Sequence, residues 1–304
     1  DPMDLTKSKT IEIGEGAVTN YTGRFSGSAV LTKKGKGTIL FSGLFRDLGV
    51  ANNARWVADE GRLTLGSNGV LANHATCPSV TLEVHEGATL QTDNHNPLGA
   101  VVLRGGTLTS PYFAALVDGS GQSVVVERMA RWNPFSLNGT VTVLPSSNGR
   151  PSRISVPHAI CVGHAANTTV FDVQSGATLE VEALLQPGEN AGASAVQTCD
   201  LVKRGGGDLV LKRNCGVQGT VQVEGGSITL GPDARFAPEA KLRVQPGARI
   251  VLPDGSLLAT DGDVAVEKLR EKGPDYYDVV LMDIQMPRMD GYTATKEIRK
   301  MFPE

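Results

Sequence analysis

Leu201-Val-Lys-Arg-Gly-Gly-Gly-Asp-Leu-Val-Leu211, followed shortly by Gly219-Thr-Val-Gln-Val-Glu-Gly-Gly-Ser-Ile-Thr-Leu-Gly231, carries the pattern that decides the fold. Apolar and polar residues alternate in short runs, and glycine stands directly before them. Alternation puts Leu, Ile and Val on one face of an extended strand and Thr, Arg or Glu on the other. A preceding glycine supplies the positive φ of a tight corner. The unit recurs as Gly61-Arg-Leu-Thr-Leu, Gly87-Ala-Thr-Leu, Gly106-Thr-Leu-Thr, Gly139-Thr-Val-Thr-Val, Gly176-Ala-Thr-Leu-Glu-Val and Gly247-Ala-Arg-Ile-Val-Leu. Gly87 to Gly106 and Gly207 to Gly226 are each 19 residues, and Gly226 to Gly247 is 21. Such spacing suits one coil of a β-solenoid, in which each turn buries its apolar face by stacking on its neighbours. A sandwich would place turn signals about every 8–12 residues.

A longer repeat supports the solenoid. Leu31-Thr-Lys-Lys-Gly-Lys-Gly-Thr-Ile-Leu-Phe41 matches Leu201–Leu211, Gly61–Gly66 matches Gly226–Gly231, and Val80–Gly87 matches Ala240–Gly247, at offsets of 170, 165 and 160 residues. The Lys-x-Gly-x-Gly-x-Leu-x-Leu pattern with Gly219–Gly231 resembles the autotransporter-associated β-strand repeat of bacterial surface passengers. The Asn-Tyr-Thr-Gly centre common in that repeat is missing from both units. The resemblance implies a right-handed parallel β-helix exported to the cell surface or beyond. The expected fold class is therefore mainly β, a right-handed parallel β-helix or solenoid, followed by a short α/β segment. At about 20–25 residues per coil, residues 1–255 give roughly ten to twelve coils.

Composition divides the chain at the same place. Of 304 residues with net charge −3, residues 1–255 hold 33 of the 36 glycines and are neutral, with 22 basic and 22 acidic side chains. Residues 256–304 hold 7 basic and 10 acidic side chains, and so carry the whole net charge. Two domains are expected, 1–255 and 256–304. The balance excludes a polycationic nucleic-acid face. No apolar run reaches the ~18 residues of a membrane helix, so no membrane segment is expected. With only 5% aromatic residues, an aromatic-filled core is not expected. The opening Asp1-Pro2-Met3, without an initiator or signal pattern, reads as that of a mature or internal fragment.

The solenoid shows little local chemistry. His158-x-x-Cys161-x-x-His164 could offer three soft ligands, but on a strand such positions face opposite sides and no fourth ligand is near. Asp118-Gly-Ser-Gly-Gln122 lacks the spacing of a nucleophile elbow and reads as a corner. No Asp/Asp or Asp/Lys cluster singles itself out as a polysaccharide-cleaving site. Cys77, Cys161, Cys199 and Cys215 are too few for a disulfide scaffold. Cys199 and Cys215 bracket one strand, as a pair or as buried thiols. No catalytic residue and no cofactor are assigned to this part.

The last residues have another signature. Val264, Val266 and Leu269 suit an amphipathic helix, with Asp261 or Asp263 near its N-cap and Gly273-Pro274 as its stop. Asp278-Val-Val-Leu-Met282 is a continuous apolar run, typical of a buried parallel strand, and Asp283 follows at its carboxyl end, where open α/β folds place their sites. Pro287 and Gly291 shape a turn before a helix-forming stretch from Thr293 to Phe302.

Leu281-Met-Asp-Ile-Gln-Met-Pro-Arg-Met-Asp-Gly-Tyr292 closely resembles part of the receiver domain of two-component response regulators, an incomplete flavodoxin-like domain. The resemblance implies that Asp283 is the phosphoacceptor, that the Gln285 backbone carbonyl joins Asp283 on Mg²⁺, and that Pro287 and Gly291 shape the loop. It implies that Asp261-Gly262 opens the preceding helix and that a histidine kinase is the partner. A carboxylate would attack a phosphoryl group whose charge Mg²⁺ neutralises. A receiver also needs an acidic pair about 45 residues earlier, where Ala237–Pro246 has Glu239 as its single acid. Its Ser/Thr and Lys would fall after Glu304. With one carboxylate in place of three, Mg²⁺ is expected only in a completed receiver.

The leading expectation is a non-enzymatic, extracellular or envelope β-solenoid, acting as passenger, adhesin or scaffold for a surface ligand or polysaccharide, with a truncated receiver attached. The alternative is a cytoplasmic phosphorelay protein in which Asp283 is the active residue. A carbohydrate-active β-helix is the third reading.

Overall fold

The computed structural model describes residues 3–4, 7–22, 25–26, 28–42, 54–67, 70–71, 80–111, 115–117, 123–125, 135–157, 159–163, 167–187, 198–253, 261–273, 286 and 288–302. The chain forms two compact units, Asp1–Arg249 and Ile250–Glu304. Among the described residues it is mainly β, with large parallel sheets and two helices near the C-terminus.

Strands alternate between two ten-stranded sheets. Lys9–Glu12, Val30–Lys34, Arg55–Ala58 and Thr81–Val84 are successive neighbours in one; Val18–Tyr21, Thr38–Phe41, Arg62–Leu65 and Thr89–Thr92 are successive neighbours in the other. The alternation continues to Lys241–Val244 and Arg249–Val251. Pairings along both sheets are parallel and in register, as in Leu201↔Val221 and Leu209↔Ile228. A third parallel sheet holds Asn96–Leu98, Phe135–Leu137, Ala159–Val162 and Leu184–Pro187. A short antiparallel pair, Ala115–Val117 with Ser123–Val125, falls in the interval between Thr109 and Ser152.

The eight glycine-led runs are all strands or strand-containing. Burial alternates along Thr140–Val143, Thr178–Val181, Asp208–Leu211 and Thr220–Val223, with Leu and Val inward and Thr, Glu or Gln half-exposed. Fully burying such an aliphatic side chain contributes about 1.5–3 kcal/mol, so the stacked rungs form the core. Leu, Val and Ile dominate it, as the low aromatic content implies, although Trp56, Phe41, Phe135 and Phe171 are also fully buried. Phe41 lies against Trp56 with ring centroids 4.7 Å apart.

The glycines divide into two kinds. Gly61, Gly87, Gly176, Gly226 and Gly247 have φ between +62° and +85°, as a corner requires. The same expectation fails for Gly106, Gly139 and Gly207, because Gly105 and Gly205 take the left-handed turn nearby and Gly139 has no positive φ. Space decides there: a Cβ on Gly106 would stand 2.6 Å from the Val84 carbonyl oxygen, and one on Gly139 would stand 2.7 Å from the Gly99 carbonyl carbon.

The 170-residue repeat brings Lys33 and Lys203 to equivalent corners, both wholly buried. Lys203 Nζ donates to the carbonyls of Arg204, Gly205 and Gly225 at 2.8, 2.9 and 3.0 Å. Lys33 Nζ donates to Lys34 and Glu60 carbonyls, both at 3.0 Å, and to that of Gly35. Each ammonium thus has three acceptors, one of them from the next rung. Burial pulls Lys203 down to about 8, against the nearby Asp208 and Asp172.

Outside, charges pair across rungs. His85 Nδ1 meets Asp59 at 2.6 Å and its Nε2 meets Glu83 at 2.8 Å, while Lys34 stands 3.5 Å from Asp59 and Arg55 3.2 Å from Glu83. The hydrogen bond to His85, helped by Lys34, holds the Asp59 carboxyl below its usual range despite burial. The Ser155 hydroxyl, helped by Lys212 and Arg153, does the same for Glu182. Each depressed carboxyl contributes stability that is complete above the unfolded-state value near 4 and is lost as pH falls through the lower folded-state value. Urea midpoints are therefore expected to fall between about pH 5 and about pH 2. Asp59→Asn, already weaker at the upper pH, should lose less over that interval; identical losses would exclude Asp59 from the effect.

Candidate functional site

The C-terminal unit contains α1, Gly262–Lys272, and α2, Gly291–Met301. Asp278–Met282, Asp283, Gln285 and Pro287 lie outside the described residues; Gly291 is the buried first residue of α2. Ile284 lies outside the described residues as well; residues 288–290 form a bend, and Gly291 and Tyr292 begin α2.

Asp290 caps α2: its carboxylate accepts from Thr293 N at 2.8 Å and from the Thr293 hydroxyl at 3.1 Å. Those bonds, with little opposition from burial, hold the Asp290 carboxyl below its usual range. Helix α1 begins differently. Asp261 occupies its N-cap position with extended backbone, yet its side chain makes no cap hydrogen bond to α1. Instead Asp261 Oδ1 accepts from Met289 N at 2.8 Å, and Oδ2 accepts from Arg288 N at 2.9 Å and Arg288 Nε at 3.4 Å. Desolvation opposes ionisation of this buried carboxyl, but the amides of Met289 and Arg288 prevail and keep it below the usual range.

Asp263 meets Val264 N at 2.8 Å and Arg288 Nη2 at 3.0 Å. Gly262 N donates back to the Met289 carbonyl at 3.2 Å. A Cβ on Gly262 would strike that carbonyl and come within 3.0 Å of Ala294 Cβ, so only glycine lets α1 approach the turn. Gly273, at φ +90°, ends α1 with its N–H on the Leu269 carbonyl.

Among the described residues no group of three His, Cys, Asp or Glu side chains is placed to hold a metal ion. Asp261 and Asp290 do not fit Mg²⁺, since the Asp261 oxygens are engaged by the Arg288 and Met289 amides and those of Asp290 by the Thr293 amide and hydroxyl, and Asp283 and Gln285 lie outside the described residues. His158, His164 and Cys77 also lie outside them, while Cys161 is buried. Cys199 and Cys215 are free thiols, not a pair, and burial pushes them up to about 12 and about 11. Residues 118–122 are likewise outside the described set. Among the described residues no helix is long and apolar enough to cross a membrane.

Residues 256–304 match the family model of the response regulator receiver domain. The chain is 54% identical over 43 residues to the two-component response regulator ORR41 of Oryza sativa subsp. japonica, covering 14% of this chain and 33% of that protein. It is 54% identical over 43 residues to the chemotaxis protein CheY of Bacillus subtilis, with the same shares. It is also 50% identical over 46 residues to histidine protein kinase 1 of Candida albicans, covering 14% of this chain and 2% of that protein. The chain thus spans a third or less of the length of these relatives. No solved structure matches it. The resemblance of residues 1–255 to autotransporter repeats rests on the Lys-x-Gly-x-Gly-x-Leu-x-Leu pattern and Gly219–Gly231 alone.

Proposed function

We propose that residues 256–304 are the phosphoacceptor part of a receiver in a phosphorelay, with Asp283 as the carboxylate that takes the phosphoryl group and a histidine kinase as its donor. The observation that carries this reading is the receiver match over 256–304, which contains the whole motif around Asp283. The match to a histidine protein kinase supports the partner. Mg²⁺, which screens phosphoryl charge when bound, would be held by Asp283 and the Gln285 carbonyl together with acids of a complete receiver. This reading places the reaction in the cytoplasm, where such kinases have ATP. Residues 1–255 then serve as its sensory or scaffolding part.

We infer that residues 1–255 wind as a right-handed parallel β-helix. Its support is the alternation of successive strands between two parallel sheets, each strand pairing with the nearest earlier strand of its own sheet. A non-enzymatic scaffold needs nothing more than this stack.

The test keeps the full chain and completes the receiver within it, inserting a first strand with an acidic pair ahead of residue 256 and appending a fourth and fifth strand after Glu304. Radiolabelled acetyl phosphate with Mg²⁺ should label this completed chain and leave its Asp283→Asn form unlabelled. The 304-residue chain alone should take no label, because one carboxylate holds Mg²⁺ too weakly. Equal labelling of the Asn form would remove Asp283 from the reaction.

A further inference from the structure

We propose that copies of this chain associate head to tail, the strand Lys241–Val244 of one copy pairing in parallel with the strand Lys9–Glu12 of the next. Among the described residues both large sheets begin and end together: Lys9–Glu12 and Val18–Tyr21 are their first strands, Lys241–Val244 and Arg249–Val251 their last. A strand at such an edge presents a row of backbone donors and acceptors to an extended chain of matching pattern.

The two edges match each other. Ile13 N donates to the Lys34 carbonyl, while Lys241 N and Gln245 N donate to the Gly219 and Val223 carbonyls. Successive residues of a strand turn their backbone groups to opposite sides. Thr10 and Glu12 therefore face the edge at one end, and Leu242 and Val244 face it at the other. Aligning the chain on itself at an offset of 231 residues lays Ile11 on Leu242, Glu12 on Arg243 and Ile13 on Val244. The same offset superposes the corners. Gly16 and Gly247 both take the left-handed turn, at φ +76° and +85°, and Ala17 N and Ala248 N close it on the Gly14 and Gln245 carbonyls at 3.1 and 3.0 Å. One register thus continues strand and corner together.

The side chains agree with that register. Ile11 pairs with the buried Lys33, and Leu242 and Val244 pair with the wholly buried Val221 and Val223, so these residues end inward columns. Leu242, in the last strand of its sheet, is 38% exposed. Glu12 and Arg243 are exposed on the outer face. Opposite charges directly across a ladder attract there, and like charges repel. Two last strands set against each other would bring Lys241 and Arg243 onto their own kind, which favours the head-to-tail arrangement. Such an interface is heterologous and does not close on itself, so growth continues past two copies.

Sedimentation velocity of the full 304-residue chain gives the first reading, over concentrations from about 1 to about 300 μM. The sedimentation coefficient should rise with concentration past that of a dimer and fall again on dilution. A monomer at every concentration overturns the proposal, and is the result expected if a foreign strand occupies these edges. Growth that stops at two copies overturns it as well.

Charge reversal assigns the contact. Glu12→Arg and Arg243→Glu should each raise the concentration of half-association about tenfold, since each reversed chain meets like charge in its own copies. Mixing the two variants in equal amounts offers every edge an opposite charge again, and should bring the value back to within about threefold of the parent. The doubly reversed chain should behave as the mixture does. If both single variants associate like the parent, or the mixture stays as weak as either alone, Glu12 does not meet Arg243 and the proposal falls. Far-UV circular dichroism should be the same for all four chains; a variant that differs is replaced by Glu12→Lys or Arg243→Asp.

Discussion

Lys203→Met is expected to lower the unfolding free energy of the chain by about 2–4 kcal/mol at neutral pH. The length and apolar stem of the side chain are nearly conserved, so the loss isolates the ammonium. Removing it takes a donor from three carbonyls, Arg204, Gly205 and Gly225, at a corner where the side chain is wholly buried. An unmet buried acceptor costs about 1–3 kcal/mol, and the desolvation of the charge that is no longer buried offsets part of the sum. Lys36→Met is the contrast: its partner Glu15 and Lys36 itself are about three-quarters exposed, and the change should be within about 0.5 kcal/mol.

The pH dependence separates charge from packing. Lys203 titrates near 8 in the folded protein and near 10.4 when unfolded, so between these values the unfolded chain binds more protons. Stability from this group therefore rises as pH increases from about 8 toward about 10. Guanidinium midpoints of the parent should show that rise and those of Lys203→Met should not. Parallel curves would mean that the ammonium is not held as the geometry describes.

Gly226→Ala should cost more, at least about 4 kcal/mol, and it should exceed Gly247→Ala, at about 1–2 kcal/mol. Both glycines sit at positive φ, +63° and +85°, so both substitutions carry the same backbone penalty. They differ in space. A Cβ on Gly226 would fall on the Gly207 carbonyl oxygen and lie 2.9 Å from that of Gly205, all rigid backbone of the preceding rung. A Cβ on Gly247 meets nothing within 4 Å. Equal losses in calorimetric melting would show that conformation alone governs these corners.

These two predictions mark where the sequence was legible. Alternation in Thr140–Val143 or Asp208–Leu211 reads straight into burial, because one face of each strand is inward and the other half-exposed. Asn96–Leu98, Phe135–Leu137 and Ala159–Val162 were not legible, since every residue in them is buried and no period of two survives. Pro97 further disguises the first. Alternation puts Lys33 and Lys203 on the inward face with Leu31 and Leu201, and only the matching carbonyl triads explain how lysine is held there. In the C-terminal unit the motif around Asp283 was plain in one dimension. Asp261 looked like a helix cap, and its bonds to residues 27 and 28 positions away are a tertiary fact that local spacing does not encode.

The parallel pairings have a kinetic consequence. Among the described residues, partners along the two large sheets are 18 to 46 residues apart, from Thr89↔Thr107 to Thr107↔Arg153. Each rung thus needs only its predecessor as a template, and closing a loop of twice the length costs only about 0.6 kcal/mol more. A chain built this way can fold in the order in which it becomes available, growing from its leading end without waiting for distant residues. Damage late in the sequence should leave the earlier rungs assembled, so that truncation shortens the folded body instead of abolishing it.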